Sequence, residues 1–218
     1  MPKISYEEFR AKLMDPATPD SEIARYLTAE PADSGPFDPA IRPDPAAVEL
    51  GPEAQFEVES ALDWANGVAR WRREVDFNLR VGSEKLPVLV SEGDSWFQFP
   101  FLLKDVIDQL SSDHLIWSLD AAGDTAQNMV YGNSEYMKGL QRMKTRKVKA
   151  FLFSAAGNDV IGQDALGNPV LASLLKPYKK GQTAAWHIDQ AKLSAILQFL
   201  EGAYRSVVAT VRKDPDFD

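Results

Sequence analysis

Apolar residues return every three or four positions through Val58, Ala61, Leu62, Ala65, Val68 and Ala69. That spacing is the stripe of an amphipathic helix, and it carries to about Leu79. The pattern then changes to unbroken apolar runs. PVLV (residues 87–90), HLIWSL (114–119) and KAFLFS (149–154) each predict a short buried strand. Between them, Phe101 to Leu110 reads as a helix with Pro100 tolerated in its first turn. AAGDTAQNMV, residues 121–130, reads as a turn leading into another helix. A second long stripe, Leu193, Ile196, Leu197, Leu200, Tyr204, Val207, Val208 and Val211, predicts the last helix.

The front of the chain has a different texture. Nine of the 14 prolines fall at or before Pro52. Tyr6 to Leu13 predicts a short helix entered from Ser5, with Glu8 completing a capping box, and Glu22 to Leu27 predicts another. PADSGPFDPAIRPDP, residues 31–45, is broken by proline so often that only loop or extended backbone fits. Residues 1–50 therefore read as a helical appendage with a proline-rich connector, either a docking element for a protein partner or a packing arm. Residues 51–218 read as the main domain.

Apolar strands separated by helices imply a parallel sheet covered on both faces. Ligands of such sheets gather at the carboxyl ends of the strands. All three predicted strands run into small polar residues: Gly93-Asp94-Ser95, Gly123-Asp124-Thr125 and Gly157-Asn158-Asp159. Singly, each triplet is ordinary turn or cap chemistry. Their shared position after a strand carries the functional reading, because three such ends on one rim converge.

Composition narrows the chemistry. The chain has no cysteine, which removes disulfides, thiolate metal sites and a cysteine nucleophile. No apolar run approaches the roughly 18 residues that span a bilayer, and the N-terminus lacks the apolar core of a signal peptide; the expected setting is cytoplasmic. The net charge of −8 sits at the front, where residues 1–60 hold five Lys/Arg against 13 Asp/Glu. That excess argues against a nucleic-acid partner. The basic run KGLQRMKTRKVK, residues 138–149, reads as a solvated helix end leading into a strand. Neither G-x-G-x-x-G nor a P-loop occurs, and two isolated histidines make no metal site, so no cofactor or metal is expected.

A serine in a strand-to-helix turn presents its hydroxyl and an unpaired backbone N–H together. Acyl transfer needs both, a nucleophile and donors for the oxyanion. Ser95 supplies the pair, Gly123 adds a second backbone N–H where a side chain would block approach, and Asn158 adds a side-chain amide. Asp94, Trp96, Phe97 and Asp159 flank these positions as candidate substrate contacts, the aromatics as walls of an acyl pocket.

VSEGDSWFQFP, AAGDTAQNM and FLFSAAGNDVIG resemble the first three conserved blocks of the SGNH (GDSL) hydrolase superfamily. The resemblance covers roughly residues 86–212 and implies a flavodoxin-like three-layer α/β/α fold that cleaves small esters through an acyl-enzyme. Carried over by motif, Ser95 is the nucleophile and first oxyanion donor, Gly123 the second donor and Asn158 the third. Two departures in the blocks are mild: Trp96 replaces the common leucine, and Ala156 takes the glycine position of the third block.

The fourth block, Asp-x-x-His, is absent from the chain. Of the two histidines, His114 opens the second predicted strand at the opposite end of the sheet, and His187 begins the last predicted helix near Asp189. A serine without a base is a poor nucleophile, so the chain alone is expected to be weak or inactive. The missing pair is expected in a C-terminal continuation; the other routes are a second polypeptide, or a naturally inactive relative that keeps the pocket. The competing class is a non-catalytic binding or scaffold protein with residues 1–50 as its acidic docking arm.

Overall fold

The computed structural model describes residues 2–29, 40–51, 61–163 and 167–213. The described elements, in chain order, are β1 (Ile4–Ser5), α1 (Tyr6–Leu13), α2 (Asp20–Ile23), β2 (Leu27–Ala29), β3 (Ile41–Pro43), β4 (Val48–Glu49) and α3 (Ala61–Arg80). There follow β5 (Val88–Gly93), α4 (Val106–Leu110), β6 (Leu115–Ser118), α5 (Glu135–Met143), β7 (Ala150–Ser154), α6 (Gly157–Ile161), α7 (Val170–Ser173) and α8 (Gln190–Arg212). The protein is mixed α/β, with short parallel sheets.

The apolar runs form one three-stranded parallel sheet in the order β6-β5-β7. Val90 of the central strand stands between Trp117 and Phe151. Every residue of β5 is buried, including Ser91 and Glu92. Alternation splits the sheet's side chains into two clusters. Val88, Val90, Leu115 and Trp117 pack with Phe77 of α3, Leu140 of α5 and Leu200 of α8, while Leu89 and Ile116 pack with Ile107 of α4. Both faces are covered, and the three carboxyl ends share one rim.

The described residues among the first 50 form a packed layer. β1 pairs with β4 in parallel and β2 with β3 antiparallel. Phe9, Leu13, Ile23, Leu27, Ile41 and Val48 are buried against Ala65 and Ala69 of α3 and against Phe101. The Arg72 guanidinium donates to the carbonyls of Leu13 (3.0 Å) and Asp15 (2.8 Å), fixing the end of α1 to α3.

Several expected boundaries shift for local reasons. Helix α1 starts where its cap predicts, Ser5 Oγ accepting from Glu8 N–H at 3.1 Å. The stretch Glu22–Leu27 is split: α2 ends at Ile23, a 3-10 turn follows, and Leu27 already belongs to β2. The helix expected from Phe101 begins only at Val106. Phe101 adopts φ 61, which no helix accommodates, and Asp105 and Asp108 form a capping box five residues later than Pro100 implied. The segment after Gly123 makes a single π-helical turn, Gln127–Tyr131, before α5. His187 lies in a 3-10 turn outside the last helix, which starts at Gln190 with Asp189 as its cap. Residues 31–39 of the proline-rich connector and Val58 lie outside the described residues. Among the described residues, no helix is long and apolar enough to cross a membrane.

Candidate active site at the strand ends

The first strand end closes on itself. Asp94 N–H continues the ladder to Ser154 O (3.2 Å), and the Asp94 carbonyl then accepts from Phe97 N–H (2.9 Å) and Gln98 N–H (3.0 Å). Asp94 Oδ1 accepts from Trp96 N–H (3.1 Å) and Ser154 Oγ (2.9 Å). This holds Ser95 at the tip of a tight turn. Its N–H and hydroxyl make no hydrogen bond among the described residues. Gly93 is required here because a Cβ would stand 2.5 Å from Phe97 Cδ2.

The second end is tied to the first. Ala121 N–H donates to Gly93 O at 2.8 Å. Asn66, from α3, clasps Ala122: Oδ1 accepts from Ala122 N–H and Nδ2 donates to Ala122 O, both at 2.9 Å. The same Oδ1 accepts from Gln98 Nε2 at 2.9 Å, so one amide joins the Ser95 turn to the Gly123 turn. Gly123 follows in the left-handed region (φ 84), with its N–H unbonded among the described residues.

The third end leans on both others. Asn158 is buried, and its Nδ2 donates to Asp124 O at 2.7 Å, leaving the second amide hydrogen for another acceptor. The Asp159 carboxylate accepts from Ala126 N–H (2.8 Å) and Gln127 N–H (3.2 Å), a capping role. Ala156, at the position where the resemblance wants glycine, takes φ 101. Such a conformation costs an alanine about 1–3 kcal/mol, and the turn tolerates it.

Charge is buried beneath this rim. Asp120 Oδ2 accepts from Ser91 Oγ and Ser118 Oγ, each at 2.6 Å, and burial pushes its carboxyl up to about 6 despite Arg73 nearby. Arg73 donates to Phe97 O (2.8 Å), Asp105 (2.6 Å) and Asp108 (2.8 Å). Burial opposes its charge, yet the three carboxylates of Asp105, Asp108 and Asp120 outweigh it and raise its pKa. Glu92 is 1% exposed, its Oε2 has no partner among the described residues, and burial, reinforced by the charge of Asp120, pushes its carboxyl up to about 9. It lines a cleft of about 360 Å³ shared with Asn66, Arg70, Gly123, Asp124 and Glu135.

The aromatics divide. Trp96 is 59% exposed, while Phe97 packs against Leu89, Ile107 and Ile116. Both histidines are engaged by backbone. His114 Nδ1 contacts Leu110 O (3.2 Å) at the opposite end of β6. His187 Nε2 accepts from Lys179 N–H (3.0 Å) and Nδ1–H donates to Thr183 O (2.9 Å), with the ring stacked on Tyr178. Asp189 Oδ1 caps α8 through Ala191 and Lys192 N–H.

Sequence reasoning passed over Glu92, Asn66, Arg70 and Gln98. Glu92 carried a visible signal, an acid inside a buried strand. Asn66 is one polar residue on an amphipathic helix and carried none. Among the described residues, no group of three or more His, Asp or Glu could hold a metal ion. Comparison with known proteins finds no matching family model, curated protein or solved structure.

Proposed function

We propose that this chain is a serine ester hydrolase of the SGNH type on a flavodoxin-like frame, with Ser95 as nucleophile. One observation carries the reading: two backbone N–H groups that are unbonded among the described residues, at Ser95 and Gly123, stand at neighbouring ends of one parallel sheet. The strand order, second-first-third, is also the order that opens a flavodoxin-like sheet.

In the proposed reaction Ser95 Oγ attacks the acyl carbon of a small ester. The carbonyl oxygen becomes an oxyanion received by the Ser95 and Gly123 N–H groups and the second amide hydrogen of Asn158. The ester C–O bond breaks, and the alcohol leaves with the proton lost by Ser95. Water then attacks the acyl-enzyme, releasing the acid and restoring the Ser95 hydroxyl. Each donor is worth about 2.7–4 kcal/mol to such a transition state. No cofactor enters, and we take the setting to be cytoplasmic.

Neither histidine serves as the base, since His187 already uses both ring nitrogens on backbone groups. Acylation of this chain is therefore expected to be slow. The same observation favours the second reading, a binding protein that keeps the pocket without turnover.

A fluorophosphonate probe with adduct mapping by mass spectrometry tests the choice, alongside p-nitrophenyl acetate hydrolysis by the chain and by Ser95→Ala. An adduct on Ser95 and turnover lost in the variant are expected. An unlabelled Ser95 with equal turnover in both proteins overturns the hydrolase and leaves the binding protein.

A further inference from the structure

We propose that the Glu92 cleft binds the alcohol part of the substrate and selects a neutral, polyhydroxylated one, with the Glu92 carboxyl exchanging hydrogen bonds with a substrate hydroxyl. This rests on the hydrolase reading for the word substrate, and the cleft is a ligand site without it.

Buried polar side chains normally find partners. Glu92 Oε2 has none among the described residues, on a residue 1% exposed that lines a cleft also lined by Gly123. A ligand hydroxyl supplies what Glu92 lacks, because it both donates and accepts. The carboxyl keeps its proton to about pH 9, so near neutrality it offers one donor and one acceptor.

The wall adds one more group of that double character, an amide side chain, and one further donor. Among the described residues, Asn133, exposed at the rim, makes no side-chain hydrogen bond and the Gly123 N–H is unbonded. Arg70 gives its Nη2 to Leu119 O and to the Glu135 carboxylate. Asp124 accepts from Asn128 Nδ2 (2.8 Å) and Thr125 N–H (2.7 Å). With Arg70 balanced by Glu135 and Asp124 left over, the wall repels an anion. A cationic head drawn by Asp124 brings no acceptor for the protonated Glu92 carboxyl. An apolar alcohol would leave Glu92 as unpaired as before. A neutral polyol fits.

The test titrates the ¹⁵N-labelled full chain with methyl glucoside, choline chloride, sodium acetate and cyclohexanol, and follows the amides of Gly123 and Asp124 by NMR. Methyl glucoside alone should shift them. The shifts should survive in Glu92→Gln, whose amide also donates and accepts, and vanish in Glu92→Leu. Asn133→Ala, a surface change with little risk to folding, should weaken binding about threefold to tenfold, the worth of one hydrogen bond. No response to methyl glucoside, or a stronger response to choline, acetate or cyclohexanol, overturns the proposal. Fluorophosphonate labelling of the unmodified chain separates the two ideas. A labelled Ser95 with no polyol binding sinks the cleft assignment alone; polyol binding with an unlabelled Ser95 sinks the hydrolase alone.

Discussion

Asn66 holds Ala122 from both sides of its peptide, accepting from the N–H and donating to the carbonyl at 2.9 Å each. The clasp fixes the backbone one residue before Gly123, and through Gln98 it also fixes the turn that carries Ser95. Asn66→Ala leaves two buried backbone groups and the Gln98 amide without this partner. Each buried orphan costs about 1–3 kcal/mol, so with three of them we expect a loss of about 3 kcal/mol or more in urea denaturation. Labelling of Ser95 by a fluorophosphonate should slow in the folded variant, because the two N–H groups lose their common reference. Asn66→Asp keeps the acceptor and loses the donor, and should fall between. Undiminished labelling in a destabilised Asn66→Ala would reduce the clasp to a purely structural tie.

Much of the frame was legible because it follows from periodicity. The runs at 88–93, 115–118 and 150–154 became strands, and the long stripes became α3 and α8. What escaped depends on contacts between distant segments. The helix expected from Phe101 was delayed because Phe101 is buried against the N-terminal layer in a left-handed conformation, a tertiary contact no local pattern encodes. The appendage at residues 1–50 gave no hint that its apolar residues meet Ala65 and Ala69. At the proposed site, the residues on the chain's own strand ends are singled out by local motifs, whereas Asn66 and Arg73 reach the rim from α3 and no local pattern marks them.

Gly123 offers a test of the proposed oxyanion geometry with an internal control. It sits at φ 84, and Gly181 sits at φ 85 with open space where a Cβ would stand. Alanine in the left-handed region costs about 1–2 kcal/mol, so both Gly123→Ala and Gly181→Ala should lose about that much stability. Only Gly123→Ala should slow Ser95 labelling or ester turnover, by about tenfold or more if its N–H turns away. Equal labelling by the two variants would remove the Gly123 N–H from the reaction.

Arg73 joins the Ser95 turn to the buried acids by bonding Phe97 O and the carboxylates of Asp105 and Asp108. Removing the cation strands Asp105, which is nearly fully buried and already raised in pKa by that burial. Breaking a buried pair from one side costs about 3–5 kcal/mol, the loss we expect for Arg73→Leu in denaturant titrations. Arg73→Lys should recover only part of it, since a single ammonium cannot reproduce the planar fork. Full recovery by lysine would mean that charge alone, and not the hydrogen-bond pattern, holds the turn.

Glu92 predicts how stability depends on pH. Its folded carboxyl titrates at about 9, raised from 4.5 by burial and then by the Asp120 charge. The native state therefore binds a proton that the unfolded chain has released. The stability that Glu92 contributes is fully present below 4.5 and is lost as pH rises toward 9, with a slope of at most about 1.4 kcal/mol per pH unit. Asp120 contributes in the same direction between 3.8 and about 6. Above pH 6 the slope belongs to Glu92, and Glu92→Gln, which carries no proton to lose, should flatten it. Urea midpoints at pH 5, 7 and 8.5 read this directly: the variant's stability relative to the parent should climb steadily across the three. A constant offset between the two proteins would mean that Glu92 ionises in the folded state as it does in water, and that the cleft above it is wetter than its burial implies.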